Sequence, residues 1–435
     1  MKVCVTGLWH LGAVTAASLA SVGHEVTAYD TDPEVVAALA AGTPPIFEPG
    51  LEELVGRGLE AGTLRPTADP ADAVRGAAVV WVTYDTPVDG EDIADVDHVL
   101  DRVRALLPLL DPGTVVLISS QVPVGSTARL EAEAPEGISF AYSPENLRLG
   151  KAIKVFLEPD RVVVGTRDAH GREVVGALLA PITDRVEWMG IESAEMAKHA
   201  LNAFLATSVT FINEVAAVCE RVGADAGDVA RALKTEERIG PKAYLGPGGA
   251  FAGGTLARDV RALTAIGDAE GLVTAVLHGV WDSNTAHRGW PRRTIGALLA
   301  ADAPITSPDG LAGKTVAVWG LTYKPGTDTL RRSSSVELCL DLLAAGATVR
   351  AHDPAVSALP SDLSEVTLMD DPFDAARGAD ALVIATEWPA YRELDATQIP
   401  DLLGGDLVVD ANGFLAAALA GDPRVRYASV GRRPA

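Results

Sequence analysis

Short apolar runs separated by glycine turns and amphipathic stretches fill the first 190 residues of the chain, and the same pattern returns after residue 313. Apolar runs bounded by turn signals read as strands buried on both faces, and 3.6-residue periodicity between them reads as the helices that cover them. The pattern predicts a strand over residues 1–6 (MKVCVT), a tight turn Gly7-Leu8-Trp9-His10-Leu11-Gly12, an Ala-rich helix to about Val22, and a strand HEVTAYD ending on Asp30. Further strands are AVVWVTYDTP, with Thr86 and Pro87 at its carboxyl end, and TVVLISSQVPVGS, with Ser119, Ser120 and Gln121. ISFAYSPENLRLGKAI and PDRVVVG follow, with Pro144-Glu145-Asn146 just past an apolar strand.

The middle of the chain is helical. Residues 193–223 (SAEMAKHALNAFLATSVTFINEVAAVCERVG) form one long periodic stretch, followed by a glycine-dense loop, GPGGAFAGGTLARDV, ending on Arg258 and Asp259, and by more helical pattern over about residues 265–295. Lys198 and Asn202 are four residues apart and share one helix face. A lysine and an asparagine projecting from a rigid helix beside a glycine loop can hold a polar substrate and stabilise a developing oxyanion. The plainer alternative is a surface lysine and a helix-interior asparagine. From Lys314 the strand pattern resumes: TVAVWG to Gly320, an insertion Lys324-Pro325-Gly326-Thr327-Asp328, a helix over about residues 335–345, ATVRAHDP ending on Asp353, ADALVIATEW and GDLVVDANG. Residues 301–313, rich in proline and glycine, read as a linker.

Composition narrows the function. A chain of 435 residues exceeds a single core, so two or three domains are expected. A formal charge of −23 argues against sequence-independent binding to nucleic acid or anionic lipid. Three scattered cysteines, Cys4, Cys219 and Cys339, make neither a disulfide framework nor a zinc site, and a reducing cytoplasm is the simplest setting. No metal site is expected. No apolar run reaches about 18 residues and no basic-then-apolar leader precedes the first strand, so neither a membrane span nor a signal peptide is expected.

The N-terminal strand, glycine turn, helix, strand and Asp30 are the layout that sets a pyrophosphate on a helix N-terminus and a ribose on a carboxylate. One position departs from it: Trp9 stands where a glycine would let backbone approach the phosphates. Thr86, Ser119, Ser120 and Gln121 fall at strand carboxyl ends, where ligands of open α/β sheets gather, although such residues are also ordinary turn formers. Glu145 reads as a general acid or base, or as an exposed loop carboxylate.

Taken together, several motifs in order resemble the UDP-glucose/GDP-mannose dehydrogenase family nearly end to end. They are PIFEPGLEEL, VPVGS, SPENLRLGKAI, PDRVVVG, LNAFLATSVTFINEVAAVCERVGAD, RIGPK, GLTYKPGTDTLRRSS, ADALVIATEW and VVDANG. The resemblance implies an α/β fold of two Rossmann-like doubly wound domains joined by a long central helix. The boundaries it suggests are 1–190 for an NAD-binding domain, 191–300 for a helical dimerisation domain and 301–435 for a nucleotide-sugar domain. It implies NAD-dependent oxidation of the C6 alcohol of a nucleotide sugar, a UDP-sugar being favoured, by a cytoplasmic homodimer, with polysaccharide biosynthesis as a setting. Asp30 favours NAD over NADP by repelling a 2′-phosphate.

Residue by residue, the resemblance makes Glu145 the acid/base, Lys198 and Asn202 the oxyanion pair, and Asp259 the group that orients water. Gly7, Leu11, Gly12, Asp30, Thr86 and Gln121 match cofactor positions, with Gln121 where a threonine is usual. Asn146, Leu147, Arg238, Tyr244, Gly253, Lys324 and Arg331 match substrate positions, Arg238 reaching across the dimer. The largest departure is Thr255, which stands where the family carries its nucleophilic cysteine. Three outcomes follow: oxidation to the acid through the aldehyde hydrate; arrest after one hydride, giving the 6-aldehyde or a redox-neutral epimerisation; or nucleotide-sugar binding without turnover. A hydroxyl is far less acidic than a thiol near about 8.5 and costs on the order of 10 kcal/mol more to ionise, which sets Thr255 against the first.

Overall fold

The computed structural model describes residues 1–87, 94–300 and 311–432, so most of the expected linker, residues 301–310, lies outside the described residues. The chain divides into two compact units, Met1–Ala200 and Leu201–Ala435.

In the first unit the described strands are β1 (Lys2–Thr6), β2 (Glu25–Tyr29), β3 (Leu64–Thr67), β4 (Val79–Val82), β5 (Val115–Ile118), β6 (Ser139–Tyr142), β7 (Val162–Thr166) and β8 (Val186–Met189). They form one sheet in the order β3-β2-β1-β4-β5-β6-β7-β8, parallel except where β6 meets β7. β4 and β5 are buried at every position, as strands covered on both faces must be, and their β-branched runs suit that setting. The order reverses between β1 and β4, which opens a crevice at their carboxyl ends, the place where doubly wound sheets take ligands.

The second unit repeats the scheme with β9 (Thr315–Trp319), β10 (Thr348–His352), β11 (Thr367–Leu368), β12 (Ala381–Ile384), β13 (Leu407–Asp410) and β14 (Arg426–Ala428). All pairs are parallel, in the order β11-β10-β9-β12-β13-β14. Four strands escape the hydrophobic pattern: β3, β8, β11 and β14. They are the four outer strands of the two sheets, short and half exposed, and β3 contains Pro66, which only an edge tolerates easily.

The central helix runs unbroken over Ile191–Val222. Among the described residues it is long and apolar enough to cross a membrane by length and composition, with 39% of its most apolar window buried. Thr, Ser, Asn and Glu interrupt its apolar residues, so it is not an uninterrupted apolar run.

The glycine loop also ends earlier than the sequence suggests. A helix spans Thr255–Ala269, so Thr255, Arg258 and Asp259 sit on rigid structure rather than on a flexible loop. Gly254 precedes it at φ +133°, a conformation that side chains resist. Leu256, Ala257, Val260 and Leu263 then supply the apolar stripe that packs the helix against Ala203 and Ala206.

Candidate active site

At the β1 carboxyl end Gly7 takes φ +91°. The first helix (His10–Ser21) starts so close that a methyl group on Gly12 would lie 1.8 Å from the Gly7 carbonyl oxygen. Asp30, at the end of β2, accepts the Leu8 N–H at 2.7 Å and the Asp32 N–H at 3.0 Å, which fixes its carboxylate against the turn. Gly7, Trp9, Asp30, Tyr84, Asp85, Pro87, His98 and Arg102 line a cleft of about 270 Å³. Trp9 is 49% exposed and borders this cleft. Leu11 is half buried in the first turn of the helix. Thr86 and Gln121 come together, the threonine hydroxyl donating to the Gln121 carbonyl at 2.6 Å.

In the same unit Lys198 is only 7% exposed, which rules out the surface reading. Its ammonium donates to the Glu145 backbone carbonyl and lies 3.6 Å from the Glu145 carboxylate. Glu145 also accepts the Leu147 N–H, so the acid is held on both sides. Leu147 anchors the segment against the hydrophobic core, while Asn146 is exposed and donates to the Pro144 carbonyl at 3.3 Å. A buried ammonium beside a carboxylate is a fixed positive charge with a proton acceptor next to it.

Asn202 follows Lys198 by one turn of the unbroken central helix. In the second unit its amide donates to the carboxylate of Asp259, which is 0% exposed. Thr255, at the first position of the Asp259 helix, is exposed, and a methyl group on Gly253 would lie 3.5 Å from the Arg332 side chain. Thiols offer no substitute. All three cysteines are buried, and burial pushes Cys4 and Cys339 up to about 12. Among the described residues no group of three or more His, Cys, Asp and Glu is arranged to hold a metal ion.

Lys324 borders a second cleft of about 360 Å³, at the carboxyl ends of β9, β12 and β13, with Tyr323, Ser333, Ser335, Thr386 and Asn412. Arg331 is exposed seven residues further on. Arg238 and Tyr244 are exposed, and Arg238 donates to Glu236 at 2.8 Å, holding that carboxyl below the usual range. The acid that ends the second strand here, Asp353, differs sharply from Asp30. It is buried, and one of its oxygens accepts Leu321 N–H at 2.7 Å, Thr322 N–H at 2.9 Å, Thr322 hydroxyl at 3.1 Å and Trp388 indole N–H at 3.0 Å. A carboxylate so occupied has little capacity left for a ribose, so the second sheet copies the topology of the first without its cofactor chemistry.

Family models match three stretches of the chain: the NAD binding domain of the UDP-glucose/GDP-mannose dehydrogenase family over residues 1–183, the central domain over 192–286 and the UDP binding domain over 317–417. The chain belongs to the UDP-glucose/GDP-mannose dehydrogenase family. It is 36% identical to a UDP-glucose 6-dehydrogenase of Pseudomonas aeruginosa over 99% of this chain and 98% of the relative, and 32% identical to one of Bacillus subtilis over 100% and 98%. Among solved structures, a UDP-glucose dehydrogenase from Pyrobaculum islandicum superposes with TM-score 0.83 at 31% identity, covering 99% of this chain and 98% of that one.

As a family member the chain is an NAD-dependent oxidoreductase acting on CH–OH groups, with NAD as its cofactor. The close approach of Gly12 to Gly7 and the fixed carboxylate of Asp30 fit a dinucleotide, whose pyrophosphate the first helical turn would hold and whose ribose Asp30 would hold. Sequence reasoning passed over Tyr84 and Arg102 in that cleft. It also passed over two buried carboxylates, Glu48 and Glu195. Glu195 accepts the Gly125 N–H at 2.6 Å and the Thr127 N–H at 3.0 Å, tying the VPVGS segment to the central helix. Its only sequence signal was its spacing of three residues before Lys198, on the same helix face.

Proposed function

We propose that this chain oxidises the C6 primary alcohol of a nucleotide sugar, a UDP-sugar such as UDP-glucose in first place, in the cytoplasm and as a homodimer. Bound NAD supplies the hydride acceptor. Glu145 takes the alcohol proton, Lys198 and Asn202 stabilise the oxygen as charge gathers on it, and Asp259 holds a water. Asn146, Leu147, Tyr244 and Gly253 contact the substrate, while Lys324 and Arg331 meet its diphosphate and Arg238 serves the neighbouring copy's sugar. The observation that carries this reading is the burial of Lys198 beside Glu145, one helical turn before an asparagine that holds a fully buried aspartate. Homodimerisation is supported by Leu201, Phe204, Phe211, Val218 and Val222, exposed apolar residues at three-, four- and seven-residue steps along the central helix, which share one face. The reading carries the use of the product in polysaccharide biosynthesis, and unpaired thiols suit the reducing cytoplasm.

A second reading concerns the extent of oxidation, and Thr255 favours it. Removing one hydride and one proton from the alcohol gives the 6-aldehyde; a second hydride can leave only from a tetrahedral adduct, and a thiolate is the nucleophile best suited to form it. With a threonine at this position and every thiol buried, release of the aldehyde or a redox-neutral epimerisation through it is favoured over the acid. The test is the NADH formed per nucleotide sugar consumed across UDP-, GDP- and TDP-sugars, with the product identified by mass spectrometry. One NADH and an oxime-trappable aldehyde support arrest; two NADH and a uronic acid support full oxidation. No NADH with any sugar would sink the assignment.

A further inference from the structure

Glu48 has no part in the chemistry above, yet it is 3% exposed and its carboxylate joins three segments of the first unit. One oxygen accepts the Ala152 N–H at 2.8 Å; the other accepts the Gly150 N–H at 2.8 Å and meets His10 Nε2 at 3.2 Å. Gly150 and Ala152 close the segment that carries Glu145, Asn146 and Leu147. His10 is the first residue of the helix that begins at the cofactor turn, next to Trp9. The backbone of Glu48 is itself fixed, because the helix that follows, Leu51–Glu60, buries Leu51, Leu54 and Val55 in the core. A carboxylate removed from water is costly unless its oxygens are engaged, and here both are. An amide could accept at only one of its two ends, so the site needs the acid.

We infer that His10 and Glu48 are positioning residues that couple the two ligands. A dinucleotide seated on the first helical turn fixes His10, His10 fixes the Glu48 carboxylate, and that carboxylate fixes the segment that presents Glu145. Cofactor and nucleotide sugar then bind more tightly together than apart, and by linkage each strengthens the other by the same factor. The identity of the two ligands rests on the function proposed above; the mechanical link between turn and segment does not.

Two measurements on the full-length protein decide it. In the first, NADH affinity is titrated by fluorescence with and without UDP-glucose, for the wild type, His10→Ala and Glu48→Gln. Coupling of about 5-fold or more is expected in the wild type, within the ordinary range for linked sites, falling below about 2-fold in both variants. In the second, hydrogen exchange of the Gly150 and Ala152 amides is followed with and without NADH alone. NADH should slow it in the wild type and leave it unchanged in His10→Ala, whose Glu48 still caps both amides. A role confined to stability would lower the melting temperature of His10→Ala and keep the NADH-dependent slowing. That result, or a wild type whose amides ignore NADH, would overturn the coupling. If NADH slows the amides but UDP-glucose neither binds nor reacts, the link stands and the proposed function falls.

Discussion

On the reading that oxidation stops at the aldehyde, replacing Thr255 with cysteine should add a second hydride transfer. Residue 255 opens a helix of 15 residues behind Gly254, so its side chain sits where the helix dipole favours an anion. The dipole is worth about 0.3–1 kcal/mol at an exposed terminus and at most ~2 kcal/mol in favourable geometry. Against a hydroxyl some seven pKa units too basic, on the order of 10 kcal/mol, that leaves Thr255 a negligible fraction of alkoxide. A thiol starts at about 8.5, and helix N-termini lower thiols into the range of roughly 3.5–7.5, so the thiolate would be well populated at neutral pH. The position is exposed, and surface swaps of similar size cost within about 0.5 kcal/mol, so folding should not interfere. NADH per sugar should rise from one to two, with uronic acid replacing aldehyde. Iodoacetamide should label the variant at a single site and abolish its second hydride, since the native cysteines are all buried. Two NADH from the wild type would refute the argument that a thiol is required. One NADH from a variant that labels freely would show that residue 255 does not meet the substrate.

Other perturbations test other parts of the account. Lys198→Met should lower kcat by on the order of 10²–10³ with the sugar KM changed only a few-fold, the signature of a lost oxyanion donor; a fall in melting temperature with kcat intact would assign Lys198 to packing. His24, His287 and His352 are all held below the ordinary histidine value, chiefly by burial. The unfolded chain therefore takes up protons first, and stability should be lost as pH falls below about 6.5, a slope that His287→Gln should make shallower in thermal melts. Phe204→Glu with Phe211→Glu places charge on the exposed apolar face of the central helix and should yield a monomer by light scattering, whereas an unchanged mass would put the subunit contact elsewhere.

The central strands were legible in the sequence because burial on both faces forces an uninterrupted apolar run. β4 and β5, for instance, are buried at every position. The outer strands were not legible, for the same physical reason inverted. An edge strand pairs on one side only, stays short and keeps polar or proline residues: Leu64–Thr67 reads LRPT, and Thr367–Leu368 is two residues long. Such strands exist because a neighbouring strand offers its backbone groups, a cause that no local pattern records. The start of the Asp259 helix was missed for a related reason, since glycines signal a loop but do not say at which of them it stops.

The candidate site divides along the same line. Lys198 and Asn202 were readable as a pair because a helix converts spacing into direction, whereas their partners, Glu145 at 53 residues' separation and Asp259 at 57, are set by tertiary packing. Most telling is the contrast between Asp30 and Asp353. Both end the second strand of a strand-turn-helix-strand unit, and their turns already differ at the third residue, Trp9 in the first and Thr322 in the second. What separates them is the set of donors on one Asp353 oxygen, the Leu321 and Thr322 amides, the Thr322 hydroxyl and the indole N–H of Trp388, 35 residues beyond, whereas each Asp30 oxygen accepts one backbone amide and the acid borders an open cleft. In the duplicated fold the second acid is thus filled by the chain's own donors, most of them from the adjoining turn, while the first still borders a cleft where a ribose could reach it.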